Sequence, residues 1–197
     1  MTTQTRARPG ALITPVAAGS VLLVVAALTV AASLDLRVPG THRTETVLEP
    51  GFVAGLSGIA LVVPGALLLM RMPRHPVAWL LMVTGVHWAL DGAAGSWLAY
   101  ATLTSPPRLG AEIAFWIYQR LGASLLLSLP LVLLLYPDGR LPRGRWRLAS
   151  ILGLASTALL PAVLLVVPSD IANADAGVTD PAPFAGLDLD LTTIHGG

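Results

Sequence analysis

The sequence predicts an all-α fold: a polytopic membrane helix bundle with five transmembrane helices. Three observations lead there. Residues 9–34 carry no charged side chain, and four further apolar stretches follow at 52–70, 77–103, 113–136 and 148–168. A hydrocarbon core about 30 Å thick takes roughly 20 helical residues to cross, and each stretch is near or above that length. Second, only 12% of the 197 residues are charged and 54% are hydrophobic. A soluble domain carries about 25% charged residues, so this chain lacks the polar surface a water-soluble globule needs. Third, the arginines outside the spans gather in alternate segments: the N-terminal segment and the second and fourth loops hold more between them than the others do.

That asymmetry sets an orientation. Arg6 and Arg8 precede the first span, Arg71 and Arg74 the third, and Arg140, Arg143, Arg145 and Arg147 the fifth. These three segments fall on one side and hold eight arginines; the other side holds Arg37, Arg43 and Arg108, which is three. Basic residues in short loops mark the cytoplasmic side. The expected arrangement is a cytoplasmic N-terminal segment (1–10), a five-span membrane domain (11–168) and a flexible extracytoplasmic tail (169–197). The location that follows is the plasma membrane.

The first span also has the parts of a secretory signal, with Arg6 and Arg8 as its basic region and Val30-Ala31-Ala32 as a cleavage site. Its apolar stretch is longer than the roughly 7–15 residues of such signals, so an uncleaved anchor is expected. The second span is rich in small residues, Gly55, Ser57, Gly58 and Ala60, and contains Pro64. The third repeats the pattern with Gly85, Gly92, Gly95 and Ser96. Small residues let membrane helices approach closely. Trp79 and Tyr100, near the two ends of the third span, suit the interfacial aromatic belts. The fourth span contains Pro130 and the fifth Pro161, which membrane helices tolerate because neighbours re-satisfy the freed backbone groups.

From Ser169 onward Asp, Ala, Pro and Gly dominate. Asp170, Asp175, Asp180, Asp188 and Asp190 face no basic residue there, the composition of a chain that does not build a core. Leu187 to Leu191 alternates with period two, too briefly to specify a strand.

The composition also excludes functions. Cysteine is absent, which removes disulfides, thiolate metal sites and thiol catalysis. The four His are scattered, so no metal centre is expected. There is no nucleotide loop and no nucleophile with a base beside it. The sequence therefore predicts no catalytic residues, no cofactor, no enzymatic activity and no nucleic-acid partner. The expected partners are the lipid bilayer and, left open, a second copy of the chain or a cytoplasmic signalling partner. All twelve basic residues are Arg, which with the Ala, Gly and Pro content fits a GC-rich, actinobacterial genome.

The most distinctive stretch is Tyr136-Pro137-Asp138-Gly139-Arg140-Leu141-Pro142-Arg143-Gly144-Arg145-Trp146-Arg147. It reads as a tight hairpin between two spans. Pro at the second position and Gly at the fourth suit a type I turn over Tyr136 to Gly139. The four arginines can snorkel to lipid phosphates with Trp146 at headgroup depth, so the stretch serves as an orientation anchor or as a contact surface for a cytoplasmic partner.

This Pro-Asp-Gly-Arg-Leu-Pro run followed by Arg-x-Arg-Trp-Arg resembles a loop in the N-terminal transmembrane sensor region of actinobacterial sensor histidine kinases. Arg71-Met72-Pro73-Arg74-His75-Pro76-Val77-Ala78-Trp79-Leu80-Leu81 is similar to a second hallmark of that region, a basic turn entering the next helix. Ala78 stands where Gly is usual and His75 where Asn is common. The resemblance covers residues 50–168 and implies a membrane-embedded sensory module of a two-component system. Such kinases continue through another span into a phospho-accepting helix and an ATP-binding domain, and these 197 residues contain neither. The alternative is a stand-alone membrane protein of structural or accessory role. A transporter is disfavoured by the few intramembrane polar residues and by the lack of a visible inverted repeat.

Ionisable residues inside the spans complete the candidates. Asp91 lies well within the third span, His87 precedes it by one helical turn, and Arg120 lies within the fourth. Buried membrane charges are costly and usually paired. Counted at 1.5 Å per residue from the cytoplasmic boundary, Asp91 and Arg120 come to depths of roughly 21 and 24 Å. An intramembrane contact between them is expected, with His87 at its edge. It reads as a static ion pair fixing helix packing or as a ligand- or proton-sensing site.

Overall fold

A computed structural model describes residues 13–38, 51–103 and 109–165, and these are almost wholly helical. The segments 1–10 and 169–197, including the alternating Leu187–Leu191, lie outside the described residues. The helices are α1 (Ile13–Asp35), α2 (Gly51–Arg71), α3 (Pro76–Leu103), α4 (Ala111–Trp116), α5 (Ser128–Leu135) and α6 (Arg145–Leu164). Among the described residues, α1, α2, α3 and α6 are each long and apolar enough to cross a membrane. At 1.5 Å per residue they measure about 30–42 Å. The chain is an integral membrane helical protein.

The fourth expected span is helical from Ala111 to Leu135, but it is not one α-helix. Between α4 and α5 lie a π turn (Ile117–Leu121) and a 3₁₀ stretch (Gly122–Leu127). Pro130 explains its lower half. The ring would strike the carbonyl four residues back in an α-helix, and the nitrogen has no proton to donate. The α geometry therefore restarts at Ser128, which places Pro130 in the first turn of α5, where amides have no intrahelical partner in any case. Ser128 Oγ donates to the Leu125 carbonyl at 2.6 Å across the junction. By contrast, α2 continues through Pro64 and α6 through Pro161.

Helices α1, α2 and α3 form the core. Val24 and Leu28 of α1, Val62, Ala66 and Leu69 of α2, and Met82 and Ala89 of α3 are all buried in one cluster. Lipid tails are as apolar as these side chains, so close packing rather than the hydrophobic effect holds membrane helices together. The glycines supply that closeness. A Cβ built on Gly58 would lie 2.6 Å from the Gly85 carbonyl oxygen, and one on Gly85 would lie 2.6 Å from the Val62 nitrogen. At the far end Gly51 and Gly92 touch backbone to backbone. The small residues of the two spans face each other along the whole of α2.

A polar contact ties α1 to this pair. Asp35, the last residue of α1, accepts a hydrogen bond from the Phe52 N–H at 3.0 Å. The first amides of a helix have no internal partner, and here the carboxylate comes from the preceding helix. On the other side of α3, Leu98 clusters with Ala114 and Phe115. Gly95 lies under the Tyr118 ring, and Asp91 lies against Gly122. A step of four back along α3 matches a step of four forward along the fourth span, which fixes an antiparallel register. Helix α6 packs on the π and 3₁₀ segments and is largely exposed, with Ser150 and Pro161 its buried residues.

Candidate functional site

Two groups of residues stand out, one within the bundle and one at its Arg-rich end. Asp91 (6% exposed) and Arg120 (2%) are both buried, and His87 is half-buried one turn before Asp91 on α3. The Asp91 carboxylate lies against Gly122, where a Cβ would sit 2.6 Å from Oδ1. Gly122 is two residues on from Arg120, so the two charged residues belong to adjoining turns of one helix–helix contact. Asp91 Oδ1 is buried, with no hydrogen-bond partner among the described residues.

Arg120 sits in the π turn, and its Nη1 donates to the Leu164 carbonyl at 2.7 Å. The reason is legible in the chain. A carbonyl in an α-helix accepts from the residue four positions on, and for Leu164 that residue is Pro168, which has no N–H. Leu164 also ends α6, and the last carbonyls of a helix lack internal partners. A cation at a helix C-terminus further opposes the negative end of the helix dipole. The fourth span thus supplies the cap that α6 cannot make for itself.

Sequence reasoning named Asp91, Arg120 and His87 but missed two participants. Gly122 leaves the space the carboxylate occupies. The second is the Leu164 carbonyl, for which Pro168 was the available signal. Ser96, named as a small residue of the third span, is fully buried against Gly51, and its Oγ has no hydrogen-bond partner among the described residues.

The second group joins the two loops at the Arg-rich end. His75, between α2 and α3, meets the Pro137 carbonyl at 2.8 Å through Nε2. A carbonyl only accepts, so Nε2 carries the proton. Gly139 has φ +68°, and a Cβ there would lie 2.7 Å from Pro76 Cδ. That combination of left-handed backbone and close approach suits glycine alone. Trp79 Nε1 donates to the Pro73 carbonyl at 2.9 Å and closes the first loop on itself.

The expected type I turn over Tyr136 to Gly139 is corrected by one residue. The Gly139 N–H donates to the Leu135 carbonyl at 2.6 Å, so the turn closes on the last residue of α5. The reversal satisfies a terminal carbonyl of that helix rather than forming a free-standing four-residue turn. Asp138, Arg140, Arg143, Arg145, Trp146 and Arg147 are exposed or nearly so. Arg145 and Arg147 stand in the first turn of α6, which has no side-chain cap. The helix dipole favours anions there, not cations, so their placement answers to the surroundings of the bundle rather than to the helix.

Among the described residues, no group of three or more His, Asp and Glu is placed to hold a metal ion. Comparison with protein-family models, with curated proteins and with solved structures finds nothing that matches this chain.

Proposed function

We propose that the chain is the membrane-embedded sensory module of a two-component sensor histidine kinase, with no catalytic activity in these 197 residues. In this reading it lies in the plasma membrane with the N-terminus in the cytoplasm and the C-terminus outside. The Asp91–Arg120 neighbourhood is its polar interior. The hairpin Pro137–Arg147 is both orientation anchor and contact surface for a cytoplasmic signalling partner.

One observation supports this reading above the others. The two loops that carry the resemblance, 71–81 and 136–147, are far apart in sequence yet pack together through His75–Pro137 and Pro76–Gly139. Helices α2, α3, α5 and α6 all end at this shared surface, so a rearrangement around Asp91 or Arg120 has a direct route to it.

The test is a photocrosslinking residue at Arg143 in membranes of the source organism. Crosslinking to a protein that carries a histidine-kinase catalytic domain is expected. Crosslinks to lipid alone would overturn the reading. Purified chain incubated with labelled ATP is expected to take up no phosphate.

A stand-alone structural role is the second reading, and the backbone contacts of α2 with α3 favour it. A Cβ built on Gly58, Gly65 or Gly85 would come within 2.7 Å of facing backbone atoms, which leaves those helices little room to move.

A further inference from the structure

Where the two basic loops meet they enclose an open groove of about 670 Å³. Three separate parts of the chain line it: Arg74 and His75 from the α2–α3 loop, Asp138 and Arg140 from the hairpin, and Ile13 at the start of α1. The groove lies where α2 ends, where α1 and α3 begin, and beside the end of α5. The ends of helices that cross a bilayer mark the level at which hydrocarbon gives way to headgroups. Ile13 and Met72 give it an apolar edge on the helix side, while the Arg74 and Arg140 side chains are exposed.

The two cations come from different loops, and those loops are tied to each other. The His75–Pro137 hydrogen bond and the Gly139–Pro76 contact hold the loops against each other. The groove is therefore formed before anything binds. A guanidinium offers parallel N–H donors that match two oxygens of a phosphate.

We propose that this groove binds the headgroup of an anionic glycerophospholipid. Arg74 and Arg140 grip the phosphate, and Ile13 and Met72 meet the glycerol end of the acyl chains. The apolar edge argues for a lipid over a soluble phosphate. Asp138 limits the charge the groove accepts. A singly charged phosphodiester between two arginines is favoured, whereas a doubly charged free phosphate meets the carboxylate. The proposal stands apart from the signalling reading, because it concerns a lipid contact any membrane role could use.

The test uses the purified full chain in a neutral detergent. Short-chain phosphatidylglycerol, short-chain phosphatidylcholine and inorganic phosphate are each titrated while thermal unfolding is followed. Phosphatidylglycerol should raise Tm saturably, and the other two should not. Equal stabilisation by inorganic phosphate would overturn the lipid assignment. The variant R74Q/R140Q should bind phosphatidylglycerol about tenfold more weakly or worse, since each charge-assisted hydrogen bond is strong. R145Q/R147Q removes the same charge outside the groove and should stay within about threefold of the parent. Equal losses in the two double variants would show diffuse attraction and overturn the site. If R74Q/R140Q fails to fold, R74K/R140K keeps the charge and removes the forked geometry. It should still bind several-fold more weakly, and unchanged affinity would overturn the proposal.

Discussion

Arg120 donates from Nη1 to the backbone carbonyl of Leu164 across 2.7 Å, so a buried cation in the fourth span closes the end of α6. Arg120→Gln should lower stability in detergent by about 1–3 kcal/mol, the cost of leaving a buried polar group unsatisfied. Hydrogen exchange should rise in the last turn of α6 and not in α2. A uniform rise along the chain would show that Arg120 has no special relation to that helix end.

Asp91 and Arg120 are both buried, with Asp91 against Gly122, two residues on from Arg120. Where two buried charges compensate each other, removing one leaves the other uncompensated. Asp91→Asn with Arg120→Gln should therefore cost less than the sum of the two single changes, by roughly 0.5–3 kcal/mol. Thermal melts of the four variants measure this. Strict additivity would make Asp91 the lining of a polar pocket of its own.

The glycines of α2 and α3 should not tolerate a methyl group. Gly58→Ala and Gly85→Ala each place a Cβ within 2.7 Å of facing backbone, and overpacking of this kind costs about 1–3 kcal/mol. A Cβ on Gly19 or Gly153 would meet no neighbouring group within 4 Å among the described residues. Alanine there should be neutral or stabilising by about 0.5–1 kcal/mol through helix propensity alone. Equal melting shifts at all four positions would contradict the packing.

Asp35 caps α2 through the Phe52 N–H. Asp35→Ala should destabilise the chain by about 0.5–2 kcal/mol, as loss of an N-cap does. Asp35→Asn keeps an acceptor and should recover much of that. Faster exchange at the start of α2 is the local signature, and its absence would remove the cap from the account of how α1 is joined to α2.

His75→Phe keeps a ring of similar bulk and deletes the donor to Pro137. Amides of residues 136–144 should exchange faster while the Gly-packed core of α2 and α3 stays protected. Unchanged protection in the hairpin would show that other contacts hold the loops together.

Orientation is open to a direct check. Alkaline phosphatase fused after Pro168 should be active and fused after Arg140 inactive, because the enzyme folds only outside the cytoplasm. The reverse pattern would invert the eight-to-three arginine reading. Neutralising Arg140, Arg143, Arg145 and Arg147 together should produce mixed topologies.

Much of the fold was legible because membrane helices announce themselves by local properties. Length, apolarity and the absence of charge identify α1, α2, α3 and α6, and their bounds fall within a few residues of the apolar runs. The small residues of 52–70 and 77–103 were visible as potential contact surfaces. In the fourth span the same measures failed. Hydropathy sums composition and is blind to whether a turn is α, π or 3₁₀, so 113–136 reads as one helix although Ile117–Leu121 is a π turn and Gly122–Leu127 a 3₁₀ stretch.

The sequence by itself determined which segments are long and apolar enough to cross a bilayer and how the arginines are distributed among the segments between them. Those are properties of each segment against its solvent. Tertiary structure alone decided that Gly58 meets Gly85, that Asp91 rests on Gly122, that His75 reaches Pro137, and that Arg120 serves the end of a helix 44 residues away. Each depends on how helices rotate about their axes and in what register they pack. Lipid is indifferent to that rotation. It is fixed by which small residues let two backbones touch and by which polar groups cannot be left without a partner.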